Sequence, residues 1–322
     1  MLERLVGIGA AATASRRIRI AAQLVLAGGL IFVALRLRSI WHDSRLDLDR
    51  IDWPLLAVAA ALTAGSTAGT GFVWLAILRW LRVDVRSWHV GIFLQAQLGK
   101  YIPGSIWQYA GRVTLARAYG LPWRAVAVSL PIELAASALA GAAGSLLLLG
   151  GWGAAGALLV LLALSSVGVP PVEPRARRFL RRAVRGRDLD GAVAAGARAV
   201  GPYAAILAVY GFGFWLTAKA LFDVPATDVP RYVGAFVAAW LAGLVAIYAP
   251  GGIGVREAVL VAALRGKLGS PDALVVAAAS RVLLTFVDVA AAGAGFVLTR
   301  RARRGDAAPA GTLAKPKVRS PH

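Results

Sequence analysis

Cysteine is absent from this 322-residue chain, methionine occurs once and histidine only three times. Without cysteine there are no disulfides, thiolate metal sites or thiol nucleophiles. His42, His89 and His322 stand too far apart for ligand spacing, so no metal or haem site is expected. Carboxylates are scarce, with 16 Asp and Glu against 36 Lys and Arg. Also missing are a GxSxG elbow, an HExxH helix, a phosphate-binding P-loop and an aspartate-rich metal-diphosphate motif. "GGIGVRE" at 251–257 follows an apolar helix rather than a strand, so it does not read as a dinucleotide loop. The expectation is a non-enzyme without cofactor.

What the chain does have is apolar length. Hydrophobic residues make up 58% of it and the mean hydropathy is +0.67. Several runs are long enough to cross ~30 Å of hydrocarbon. The net charge of +20 would suit nucleic acid, but the arginines cluster between apolar runs and at the end, as cytoplasmic loops facing anionic lipid would place them. Nucleic acid is therefore not an expected partner; membrane lipids are. Spans are predicted at 20–35, 53–78, 125–149, 152–169, 200–222 and 273–299, the first retained rather than cleaved as a signal. The apolar run 232–249 is also a spanning candidate by composition.

Two stretches break this pattern. "YIPGSIWQYAGR" at 101–112 and "YAPGGIGVRE" at 248–257 place Pro-Gly and then charge beside apolar segments. Their contexts match in order: "HVGIF" (89–93) with "YVGAF" (232–236), and Gly120–Pro122 with Gly269–Pro271, each opening a long apolar helix. Each half then reads as helix, broken hairpin, helix, over 53–149 and 200–299. The predicted fold is an all-α polytopic membrane protein with about six full spans, two re-entrant Pro-Gly hairpins and inverted-topology repeats.

Domain boundaries follow from charge. Residues 1–19 form a basic N-terminus, 20–299 the transmembrane domain with a basic loop at 170–199, and 300–322 a disordered basic tail. Arg16, Arg17 and Arg19, the run 175–187 and Arg300–Arg304 all fall on one face if each hairpin re-emerges where it entered. Both termini are then cytoplasmic, in the inner membrane.

Freed backbone groups at a Pro-Gly break survive in a bilayer only in protein or beside water. Broken helices meeting near the midplane are also how many transporters build a substrate site. Pro103, Gly104, Pro250, Gly251 and Gly252 are the candidate hairpin backbone. Arg112, Glu133, Lys219, Arg256, Glu257, Arg281 and Asp288 lie in or beside apolar segments, where an unpaired charge costs roughly 2.5–3.5 kcal/mol. Arg112 and Arg256 follow the breaks, and a guanidinium fork takes phosphate oxygens in two parallel bonds. Pairing of Arg281 with Glu133 or Asp288 stands beside a substrate role for it. Glu133, Glu257 and Asp288 are the candidate charge-balancing or coupling groups, and Lys219 is expected to reach for the outer surface.

At "GKYIPGSIWQYAGR" and "YAPGGIGVREA" the sequence resembles the lysylphosphatidylglycerol synthase transmembrane family, the flippase-like domain, over about residues 15–300. The resemblance implies a polytopic inner-membrane protein that handles or translocates lipid. Its motif positions correspond to Tyr101, Pro103, Gly104, Gln108 and Arg112, and to Pro250, Gly251, Gly252, Arg256 and Glu257. The bifunctional members carry a soluble aminoacyltransferase domain after the membrane part, which residues 300–322 do not provide, so synthase activity is not implied. The expectation is a flippase moving a phosphate-bearing lipid, phospholipid or polyprenyl-linked, with Tyr101, Gln108, Arg112, Arg256 and Arg281 at the headgroup. The alternative is a non-transporting scaffold for a lipid-biosynthesis or cell-envelope enzyme, docking through the basic loop.

Overall fold

A computed structural model describes residues 46–102, 106–149, 189–246 and 250–306. The expected spans at 20–35 and 152–169, the arginine run 175–187, the tail beyond 306 and Pro103 and Gly104 of the first break lie outside the described residues.

Among the described residues the chain forms eight α-helices and no strand. They are α1 (Trp53–Trp80), α2 (Val90–Ala96), α3 (Trp107–Ala118), α4 (Trp123–Leu149), α5 (Leu189–Phe222), α6 (Val229–Val245), α7 (Val255–Leu268) and α8 (Ser270–Asp306). Within α1, α4, α5 and α8 lie the four segments long and apolar enough to cross a membrane.

Local chemistry sets the boundaries. Asp52 caps α1, its carboxylate accepting from the Leu55 amide at 3.0 Å, with Pro54 in the first turn. The expected Gly-x-Pro steps both appear as tight turns between helices. Gly120 (φ 77°) leads from α3 into α4 and Gly269 (φ 81°) from α7 into α8. Helix α5 begins at Leu189, before the expected span start at Val200, because "LDGAVAAGARAV" is alanine-rich and carries the helix back into the linker, a stretch expected to be partly helical. The candidate span 232–249 is instead the 17-residue α6, which ends at Val245. At ~1.5 Å per residue it reaches about 25 Å, short of a full crossing.

The helices pack reciprocally. α1 and α5 lie antiparallel: the Asp52 amide donates to the Ala220 carbonyl (3.0 Å), Thr67 shares a 2.7 Å hydrogen bond with Tyr210, and Val73 and Ile77 join the same cluster as Ala199 and Tyr203. α2 runs antiparallel to α8, with Gln95 Nε2 donating to the Gly295 carbonyl and Thr299 Oγ1 while Tyr101, further along, reaches Asp288. α6 runs antiparallel to α4 in the same way, Gly234 abutting Leu148 and Leu149 while Leu241 abuts Gly141. Thus the short helix before each break packs on the last long helix of the other half.

Apolar residues line both the inside and the outside of this bundle. Trp74, Leu75, Ile92 and Phe93 fill one core, and Phe214, Tyr232, Leu264 and Val276 another. On α8, Val282, Phe286, Val289 and Phe296 recur at helical spacing and are exposed, Phe286 by 73%, whereas Asp288 is fully buried. An apolar exterior around a buried charge is the pattern expected of a helix residing in lipid.

Candidate functional site

The two breaks come together. The 3₁₀ turn Gln97–Tyr101 ends the arm that begins with α2, and the 3₁₀ turn Pro250–Gly252 precedes α7. In the second, Gly251 and Gly252 have φ of 58° and 72°, the left-handed region where a side chain would be strained. A Cβ on Gly252 would also lie 2.9 Å from the Gly243 Cα, so the turn presses directly on α6.

α8 holds both breaks through two charges. Asp288 Oδ2 accepts from Lys100 Nζ at 2.7 Å and from the Tyr101 hydroxyl at 2.5 Å, which fixes the end of the first. Two turns earlier, Arg281 donates from Nη1 to the Gly251 carbonyl at 2.8 Å and from Nε to Glu257 at 2.9 Å, which fixes the second. Glu257 uses its other oxygen to accept from the Gly254 amide at 2.6 Å, completing the cap of α7. Arg281 is therefore paired with Glu257, and neither Glu133 nor Asp288 is its partner. The reason is the turn itself: it brings the N-terminus of α7, and Glu257 with it, back against α8.

Arg112 is paired too. It donates from Nη1 to Glu133 of α4, is 2% exposed, and its guanidinium lies 4.4 Å from the Phe93 ring centre, with Tyr109 and Trp74 nearby. Three faces of π-density and one carboxylate make a closed setting for a cation. Lys219 is outside this cluster, bound to Asp223 one turn on at 2.9 Å.

Between the breaks lies a cavity of about 270 Å³. Lys100, Gln108, Arg112 and Glu133 line it from the first half, and Gly251, Gly252 and Arg256 from the second. Tyr109, Tyr203, Tyr210, Phe236 and Trp240 supply an amphipathic wall. A smaller cavity of about 40 Å³ adjoins it, shares Tyr210, Trp240 and Arg256 with it, and is also lined by Glu257 and Arg281. Among the described residues four cations and three carboxylates stand in this region, and the three pairs leave Arg256 over. Its Nε is buried without a hydrogen-bond partner, and its stem lies along Gly243, where a Cβ would come within 2.2 Å of that nitrogen.

No family model, curated protein or solved structure matches this chain. The reading of the site therefore rests on its own geometry.

The predicted site residues fall into three groups. Gln108, Arg112, Glu133, Gly251, Gly252 and Arg256 meet at the larger cavity; Glu257 and Arg281 lie at the smaller one; Tyr101 and Asp288 lock the first break behind them. Lys100 is a member that sequence reasoning did not select, although a lysine beside an apolar approach and a Pro-Gly pair was a usable signal. Gly243, Tyr210 and Trp240 had none, since within a helix of apolar and small residues nothing marks which of them faces a break.

Proposed function

We propose that this chain is a flippase-like membrane protein that moves a phosphate-bearing lipid between leaflets of the cytoplasmic membrane. The observation that carries the proposal is the charged cavity between two broken segments, one from each half, in a bundle whose exterior is apolar. In this reading the headgroup passes through the cavity and the acyl chains stay in lipid. A cavity near 300 Å³ suits a headgroup and not a whole lipid.

Three features support it. The antiparallel α1–α5 contact and the reciprocal packing of α2 on α8 and α6 on α4 are what inverted-topology repeats would produce. The breaks sit in protein beside a polar cavity, the setting in which irregular backbone is tolerated in a bilayer. The sequence motifs at both breaks resemble those of the lysylphosphatidylglycerol synthase transmembrane family. With the basic clusters on one face, both termini are cytoplasmic.

The test is reconstitution in liposomes carrying a fluorescent lipid, with dithionite bleaching of the outer leaflet. Loss of signal beyond the outer-leaflet fraction is expected, faster than in protein-free vesicles, and abolished by Arg256→Gln. Movement at the rate of empty vesicles across phospholipid and polyprenyl-phosphate probes would refute it. A scaffold would tolerate Arg256→Gln with its cellular function intact.

A further inference from the structure

We infer that the cavity is selective for a lipid whose headgroup carries one net negative charge, a phosphodiester, and that Arg256 is the residue that recognises it. The inference rests on the translocase reading for its lipid, but on charge and geometry for its selectivity. Lys100 is matched by Asp288, Arg112 by Glu133 and Arg281 by Glu257. Both oxygens of Glu257 are engaged, one by Arg281 and one by the Gly254 amide, and among the described residues no hydrogen bond joins this carboxylate to Arg256, so Arg256 feels it only as a nearby charge already paired with Arg281. Arg256 is in none of the ion pairs among the described residues, and its Nε has no hydrogen-bond partner.

A second observation points to a ligand at the same place. Nη2 of Arg281 is buried without a partner, like Nε of Arg256, and both side chains line the smaller cavity. Two arginines with unsaturated guanidinium groups beside one cavity suit a phosphate, which accepts from arginine through more than one bond. A buried cation that shares its nearest carboxylate with another arginine is poorly compensated, so an anion placed beside Arg256 is favoured there.

Charge then sets the class. A phosphodiester monoanion neutralises the one excess cation. A phosphomonoester dianion would leave a negative charge buried, and a zwitterionic headgroup would bring its own cation and leave Arg256 uncompensated. Tyr210, Phe236 and Trp240 line both cavities, and their rings lower the local polarity in which these charge differences are felt.

The experiment measures binding of three dihexanoyl lipids, below their micelle-forming concentrations, to the purified full chain in detergent: phosphatidylglycerol, phosphatidylcholine and phosphatidic acid. Phosphatidylglycerol is expected to bind about tenfold or more tightly than either of the others, and Arg256→Gln to erase the preference. Arg256→Lys should retain the rank order with weaker binding, because it keeps the charge and loses the fork. Equal binding of the three lipids, or a preference unchanged in Arg256→Gln, would overturn the inference. If Arg256→Gln does not fold, the rank order on the unsubstituted chain decides. Glycerophosphoglycerol without acyl chains separates the sources: binding as tight as the lipid's would overturn the assignment of a lipid occupant. The two proposals fail separately, since equal movement of all lipid classes refutes selectivity and leaves translocation, whereas selective binding without movement does the reverse.

Discussion

Separating Arg112 from Glu133 is the sharpest probe of what holds the cavity in shape. Arg112 is 2% exposed and the Glu133 side chain 11%, so Glu133→Gln leaves a guanidinium buried without its counter-charge. Breaking a buried pair from one side costs about 3–5 kcal/mol. The rings of Phe93, Tyr109 and Trp74 remain around the cation and soften that cost by about 1–2 kcal/mol, so a net loss of roughly 1–4 kcal/mol is expected. Arg112→Met strands the carboxylate without any such compensation and should cost about 3–5 kcal/mol. The double substitution Arg112→Met with Glu133→Leu leaves no charge behind and should fall within about 1 kcal/mol of the parent, giving a coupling of several kcal/mol. Unfolding in mixed micelles of increasing dodecyl sulfate, followed by tryptophan fluorescence, reads all four proteins. Single losses below about 0.5 kcal/mol that simply add would refute the buried-pair assignment. The same double variant, in liposomes, separates two roles for Arg112: lipid movement survives if it only braces the cavity and disappears if it also holds the headgroup.

Asp288→Asn should free Lys100 and Tyr101, and amide hydrogen exchange across 97–102 is expected to accelerate about tenfold or more; unchanged protection would refute the role of Asp288 as anchor of the first break. Gly243→Ala places a Cβ where Arg256 Nε now lies, so it should displace that side chain and lower phosphatidylglycerol binding to the level of Arg256→Gln, with helix content by circular dichroism unchanged; binding equal to the parent's would refute the packing argument. By contrast Lys267→Ala, which removes a half-exposed partner of Asp228, should cost no more than about 1 kcal/mol in the same micelle titration. The orientation is checked by labelling single cysteines at Leu48 and Arg181 in intact and permeabilised cells. The expected result is labelling from opposite sides, and same-side labelling would refute the inverted arrangement.

The long helices were legible because apolar length and capping chemistry are local. Trp53, the Gly120 and Gly269 turns, and the position of the second break all appear where pattern and turn residues put them. The start of α5 was legible only in part, since the basic linker before Val200 reads as partly helical but nothing in it shows that its helix is continuous with the span. Candidate charges were also legible, because ionisable groups among apolar runs are conspicuous. Their pairing was not, since it depends on which helix ends meet in space. Arg281 and Asp288 share a face and looked like partners for each other, yet each reaches sideways to a different break. The surplus at Arg256 appears only after every other pair is known.

That both breaks are fastened by α8 has a consequence for how the protein is made. Lys100 enters the membrane long before its counter-charge, since Tyr101 beside it is 187 residues ahead of Asp288. At roughly 5–20 residues per second, that interval is on the order of 10–40 s. Throughout it the first break lacks its anchor, and for most of it the second break, at Pro250–Gly252, has not yet been made either. The halves already meet through α1 on α5 and α4 on α6, but only synthesis of the last helix fastens the two breaks, so a ribosome stalled before Arg281 leaves Lys100 and Glu257 without their partners and open to whatever chaperone or lipid reaches them first.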